Sequence, residues 1–175
     1  LDKYLPVRLY QNQQQVEVIY TKAHTFLEKI IKNDKVSQFY LDLRAIDDFT
    51  LPHSINVAVF SVLVGVGMSL TDEMLGELGM AALLHDVGHA PFSHGGEECF
   101  ASNLKHEHYS VAVIRECFGP IINEYFPEIE IEEIIALLEG LPLGTDKVFL
   151  GKLISGEMDA DKLDYLLRDS YYCGV

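Results

Sequence analysis

Apolar residues recur at three- and four-residue steps through Val16, Ile19, Tyr20, Ala23, Leu27, Ile30 and Ile31, a period that predicts an amphipathic helix ending near Asn33-Asp34. A second helical pattern runs from Val36 to Ile46. The turn-rich stretch Asp47 to Pro52 interrupts it, and a proline in the first turn is suited to open a third helix carrying His53 near its start. Leu70-Thr71-Asp72-Glu73-Met74-Leu75 then combines a threonine N-cap, acids in the first turn and a Leu70 to Leu75 hydrophobic staple. The fourth helix so begun reaches His85-Asp86.

Residues His89 to Asn103, with Pro91, Gly95 and Gly96, read as a polar loop or broken helix, and long polar loops often carry function. A fifth helix is predicted from His106 to Phe118, stopped by Gly119-Pro120. The acidic segment Pro127 to Glu133 leads into a sixth that stops at Gly140, and Thr145-Asp146 suggests another N-cap. From Lys147 to Tyr172 the pattern is again helical, with a break at Ser155-Gly156. No strand pattern, repeat or low-complexity linker is visible, so the expected class is all-α, a single-domain helical bundle. We read one domain over 1–175, with N-terminal helices in 1–46 and the functional core in 47–175.

Composition narrows the function classes. A chain of 175 residues with 49% hydrophobic content supports one well-buried core. The 27 acidic and 13 basic side chains leave a formal charge of -14, which argues against a broad nucleic-acid-binding face or attraction to an anionic membrane. An anionic small substrate would need a metal or local cations. The three cysteines, Cys99, Cys117 and Cys173, are an odd number without a close pair, so neither a disulfide framework nor a thiolate zinc site is indicated. The apolar run Ile55 to Leu70 is short and interrupted by Asn56, Ser61, Gly65, Gly67 and Ser69, and no signal-peptide pattern precedes it. The expectation is a soluble, cytoplasmic protein. Beginning at Leu1 and stopping at Val175 just after a helical pattern, the chain reads as a piece of something longer.

Candidate chemistry centres on Leu84-His85-Asp86-Val87-Gly88-His89, where an apolar helix ends in an imidazole and a carboxylate. Taken alone, the pair reads better as a helix C-terminal histidine followed by a solvated acid. His53 and the acids of Met158-Asp159-Ala160-Asp161-Lys162-Leu163-Asp164 shift the balance toward a metal site. Two neutral imidazoles and two carboxylates would neutralise a divalent cation and leave positions open for water or substrate. Asp159, Asp161 and Asp164 cannot all ligate; Asp161 is preferred because it shares a helix face with Tyr165 and, a turn on, with Arg168 and Asp169, whereas Leu163, Leu166 and Leu167 suit core packing. The ligand set His53, His85, Asp86 and Asp161 suits manganese, iron, nickel or zinc better than calcium and leaves magnesium open.

This pattern resembles the H...HD...D signature of the HD-domain metal-dependent phosphohydrolases over most of the chain, which implies an HD-type helical bundle. From His85 onward, the blocks Leu84 to His94, His106-Glu107 and Asp159 to Asp169 are similar to the deoxynucleoside triphosphate triphosphohydrolases. Upstream, Asp48 to Ala58 resembles instead the HD-GYP cyclic-dinucleotide phosphodiesterases. Thr50 stands where the triphosphohydrolases usually carry a phosphate-holding arginine, and nothing after Asp86 reproduces the GYP segment. The triphosphohydrolases also continue beyond the final helix into parts that complete their nucleotide pocket and oligomer. The resemblance thus implies a nucleotide phosphohydrolase and a homo-oligomer. A non-catalytic HD module that binds nucleotide or metal is the alternative from a different class.

His106 is the best general acid, because an imidazole is the side chain suited to exchanging protons near neutral pH, and Glu97 or His89 can orient it. The resemblance independently implies a catalytic trio of His106, Glu97 and His89 beside the metal. Lys162, next to Asp161, offers a point charge to a phosphate; its bland alternative is a surface ion pair. By resemblance Lys162 contacts phosphate, Tyr165 and Asp169 contact the sugar, and His94 lines the pocket. His24 and His108 carry no comparable support and read as helix-face and solvated residues.

Overall fold

Thr71 shows how local chemistry sets this architecture. In the computed structural model, which describes residues 21, 50–89, 95–97, 104–141 and 147–174, its hydroxyl accepts the Met74 amide at 3.3 Å and starts a helix over Asp72–Leu84. Leu70, just before the cap, packs against Leu75 and the Val62–Val66 stripe, as a hydrophobic staple should. We number this helix α2. It follows α1, Thr50–Gly67, in which Pro52 occupies the first turn, where its missing amide hydrogen costs nothing.

The buried positions of α1 are His53, Ser54, Val57, Ala58, Ser61, Val62, Gly65 and Val66, a helical stripe that lies against both α2 and the last helix. In α2 the five residues Met80 to Leu84 are all buried, so its C-terminal end is enclosed on every side. His85 and Asp86 therefore emerge from the middle of the protein rather than from its surface.

The remaining helices are α3 (His106–Val113), α4 (Gly119–Tyr125), α5 (Ile131–Glu139), α6 (Val148–Ile154) and α7 (Ala160–Cys173). The described residues contain no strand, and the all-α bundle expected from the hydrophobic pattern is what they form. Gly140 ends α5 in the left-handed conformation at φ 66°, where a side chain would be strained. The break at Ser155-Gly156 also falls as expected, between α6 and α7.

One expectation is corrected. Gly119-Pro120 does not stop the fifth helix at Phe118; the chain runs on to Tyr125 through a π-turn at Ile114–Phe118. The Gly119 amide bonds back to the Ile114 carbonyl, five residues away, which restarts the helix so that Pro120 falls in a new first turn. Ile114, Phe118 and Ile122 are each fully buried, and this packing gives the continuation its stability. The helices expected at 16–31 and 36–46, the cap at Thr145-Asp146 and most of the polar loop lie outside the described residues.

Candidate metal centre

The two imidazoles arrive from helix ends that leave polar backbone atoms to be satisfied. His85 follows the last residue of α2 in helical conformation, and its Nδ1 donates to the Ala82 carbonyl at 2.8 Å. A carbonyl can only accept, so the proton sits on Nδ1 and Nε2 presents a lone pair. That Nε2 is buried and has no hydrogen-bond partner. An orphaned buried acceptor facing carboxylates is what a metal ligand looks like before its ion is added.

His53, 7% exposed in the first turn of α1, is held from both sides. Its Nδ1 lies 2.7 Å from Asp164 Oδ2, and its Nε2 lies 3.1 Å from Asp161 Oδ1 and 3.8 Å from Asp86 Oδ2. His53, His85 and Asp86 each offer a ligand atom within 4.8 Å of the others. The four residues expected as ligands are thus neighbours, contributed by α1, the end of α2 and α7, and their donor set fits a divalent cation.

Asp86 also joins this cluster to a second one. Its Oδ1 lies 3.3 Å from both His85 Nε2 and His89 Nε2. The His89 ring stacks on His106 at a centroid distance of 3.8 Å and an interplanar angle of 14°. His106 Nδ1 donates in turn to Glu97. The expected trio is thus linked to the candidate ligands through Asp86, with His89 and His106 near its carboxylate and Glu97 behind His106.

Close backbone approach makes this possible. A β-carbon on Gly88 would fall 2.6 Å from the His106 carbonyl oxygen, so only glycine lets the turn after Asp86 press against the start of α3. Ser110, 1% exposed, locks the contact: its hydroxyl accepts the Gly88 amide and donates to the His85 carbonyl, each at 2.9 Å.

Charge reinforces the geometry. Burial pushes the Asp86 carboxyl upward, but the hydrogen bond with His89 and the charges of His85, His89 and His53 outweigh it and hold the group well below the usual carboxylate range. The hydrogen bond from His53 lowers Asp161 against the opposing effect of burial. Burial pulls His53 and His89 down, yet both end up raised, His53 by Asp161, Asp164 and Asp86, and His89 by Asp86, Glu97 and Glu107. Both carboxylates are thus favoured in the ionised form, the form able to bind a cation.

The other expected residues are placed less centrally. Lys162 Nζ donates to the Gly156 carbonyl at 2.8 Å and to Asp159 Oδ2 at 2.6 Å, closing the turn that enters α7. Tyr165 and Asp169 stand exposed one turn apart on α7, and His94 lies outside the described residues. Asp164 was expected only as an alternative ligand to Asp161, and the contacts made by Asn56, Gly88 and Ser110 were not expected. Of these only Asp164 left a signal, as an acid three residues after Asp161 on the same helix face.

Comparisons with known proteins agree with this geometry. The chain is 40% identical over 107 residues to an uncharacterised protein of Mycoplasma pneumoniae, covering 55% of this chain and 24% of the relative. It is 30% identical over 127 residues to human deoxynucleoside triphosphate triphosphohydrolase SAMHD1, covering 55% of this chain and 20% of that protein. The chain therefore spans about a quarter or less of the length of these relatives. A crystal structure of a hypothetical protein from Aquifex aeolicus superposes with a TM-score of 0.56 at 29% identity, over 71% of this chain and 33% of that one. Among the described residues no helix is long and apolar enough to cross a membrane. Residues 50–169 match the HD domain, so the chain belongs to the HD domain family, whose members are in general metal-dependent phosphohydrolases.

Proposed function

We propose that this chain hydrolyses a phosphoester or phosphoanhydride of a nucleotide, with triphosphate release from a deoxynucleoside triphosphate as the first reaction to test. The observation that carries the reading is Asp86, whose one carboxylate touches the ligand cluster on one side and the stacked His89–His106 pair on the other. Similarity to human deoxynucleoside triphosphate triphosphohydrolase SAMHD1 supports the substrate class.

His53, His85, Asp86 and Asp161 would hold the divalent ion. When bound, such an ion would lower the pKa of its water to about 7 and polarise a phosphoryl oxygen. The chain supplies the proton. His106, with Nδ1–H committed to Glu97, presents Nε2 for transfer to the leaving oxygen as the P–O bond breaks, and Glu97 stabilises the imidazolium before that transfer. His89, stacked face to face on His106, limits ring rotation. Lys162 has three N–H donors, of which Gly156 and Asp159 take two, so the third remains for a phosphate oxygen. Tyr165, Asp169 and His94 complete the proposed substrate contacts.

Protein stripped of metal, reloaded with manganese or iron, and assayed against nucleotides with chromatographic product analysis tests the reading. Triphosphate release is the expected result. A linear dinucleotide formed from a cyclic one would redirect the substrate assignment. No turnover with any metal would leave a binding module in place of an enzyme.

A further inference from the structure

Asp164 is buried to 4% exposure on α7, one turn beyond Asp161, and it is bonded through both oxygens to α1. Its Oδ2 receives His53 Nδ1 at 2.7 Å and its Oδ1 receives Asn56 Nδ2 at 2.9 Å. His53 and Asn56 are three residues apart, so one turn of α1 grips both lobes of a single carboxylate. We infer that Asp164, fixed by Asn56, is a positioning residue that holds the proton of His53 on Nδ1 and directs Nε2 toward Asp161 and Asp86, where it would serve as the ligand atom. The inference rests on the metal-centre reading above and adds to it the residue that prepares one of the ligands.

Both ring nitrogens of His53 face ionised carboxylates, which only accept, Nδ1 at 2.7 Å from Asp164 and Nε2 at 3.1 Å from Asp161. A divalent ion held between Nε2 and Asp161 would take the place of a proton on Nε2, so the proton that Asp164 holds on Nδ1 is the one retained. Asn56 cannot substitute for that function, because its amide donates to the other oxygen; its effect is to fix the plane of the carboxylate and hence the direction of the ring. A free imidazole distributes its proton over both nitrogens, and the wrong tautomer would aim N–H at the ion. His85 solves the same problem with a neutral acceptor, the Ala82 carbonyl. The two imidazoles are therefore presented in the same tautomer by different means, and the one backed by a carboxylate is the more basic donor. A purely structural ion pair would require only proximity. The two-point grip on Asp164 adds direction.

Zinc alone is a suitable probe because it is diamagnetic and can be followed by nuclear magnetic resonance. In the zinc-loaded wild-type protein, long-range 15N–1H spectra should show His53 protonated at Nδ1 and coordinated through Nε2. Competition with a chromophoric chelator should show zinc bound about 10- to 100-fold more weakly by Asp164→Asn, a change typical for loss of a carboxylate behind a metal histidine. Asn56→Ala, at an exposed position of α1, should weaken binding by a smaller factor with little change in Tm. Wild-type protein that binds no zinc would overturn the metal-centre reading itself. Wild-type protein that binds zinc, with His53 protonated at Nε2 or with both variants binding as tightly as wild type, would overturn only the role of Asp164.

Discussion

Gly88 approaches Ser110 so closely that a β-carbon on the glycine would sit 2.1 Å from the Ser110 amide nitrogen. No rotamer change relieves a clash with backbone, so Gly88→Ala must move the turn after Asp86 away from α3. We expect a loss of about 3 kcal/mol, the upper part of the overpacking range, measured by urea unfolding. Ser110→Ala should cost less, about 1–3 kcal/mol, because it strands the Gly88 amide and the His85 carbonyl without a steric conflict. Ser110 lies one turn beyond His106, so both variants should also lose turnover by displacing that ring. A Gly88→Ala protein as stable as wild type would contradict the close contact.

The ligand cluster and the proton donor should separate by mutation. Asp86→Ala removes a carboxylate that His53, His85 and His89 all face, and the purified variant should carry almost no metal by elemental analysis. His106→Ala leaves the four ligands intact, so metal content should be retained while kcat falls about 10²- to 10⁴-fold, the usual range for general acid–base catalysis. Normal metal content in the Asp86 variant would sink the ligand assignment.

The contrast between Asp161 and Asp164 shows what could be read from the sequence. His85 and Asp86 stood out as candidate ligands because polar side chains end an apolar helical stretch, while His53 and Asp161 joined them as the remaining histidine and acid of the H...HD...D pattern. Face periodicity could not assign Asp164, since it puts both acids on one side of α7 and says nothing about which nitrogen of His53 each one meets. Gly88 and Ser110 are 22 residues apart, and a contact between a turn and a distant helix has no period to reveal it. Pro120 misled for a related reason. Gly-Pro is a local stop signal, but burial of Ile114, Phe118 and Ile122 made it cheaper for the helix to restart through a π-turn.

Lys162 has two roles that one variant can resolve. Lys162→Met removes the ammonium's bonds to the Gly156 carbonyl and Asp159 Oδ2, while Asp159 Oδ1 still accepts the amide of residue 162, 2.8 Å away in the wild type, and caps α7. The ammonium is partly exposed, so the stability loss should be modest, about 1 kcal/mol, seen as a small fall in Tm. If its third donor also meets a phosphate of the substrate, KM should rise several-fold with kcat nearly unchanged, the signature of lost uniform binding. A lower Tm with unchanged KM would confine Lys162 to closing the turn before α7.

Glu77 offers a test of pH dependence away from the metal centre. It is 1% exposed on α2, and both of its oxygens accept Lys147 Nζ, at 3.0 and 2.8 Å, while Glu133 lies 3.3 Å from the same ammonium. Burial drives the Glu77 carboxyl above its ordinary value of 4.5; Lys147 opposes the shift, and Glu133 and Glu73 reinforce it. Lys147 responds in the other sense, since burial alone would lower it but Glu77 and Glu133 raise it, so its charged form is favoured. The Glu77 direction governs the pair, because that carboxyl is enclosed while the ammonium keeps some solvent. A raised native value means that the folded protein retains a proton already released by the unfolded chain. Stability from this group is therefore present below 4.5 and is lost as pH rises through the native value. Glu77→Gln cannot titrate, so its Tm relative to wild type should climb as pH increases across that window. Lys147→Met should show the converse: a deficit of about 3 kcal/mol at neutral pH, where Glu77 is left buried without its cation, shrinking in acid as the carboxyl takes up a proton. A Lys147→Met deficit that is the same at pH values on both sides of the window would show that Glu77 does not titrate there.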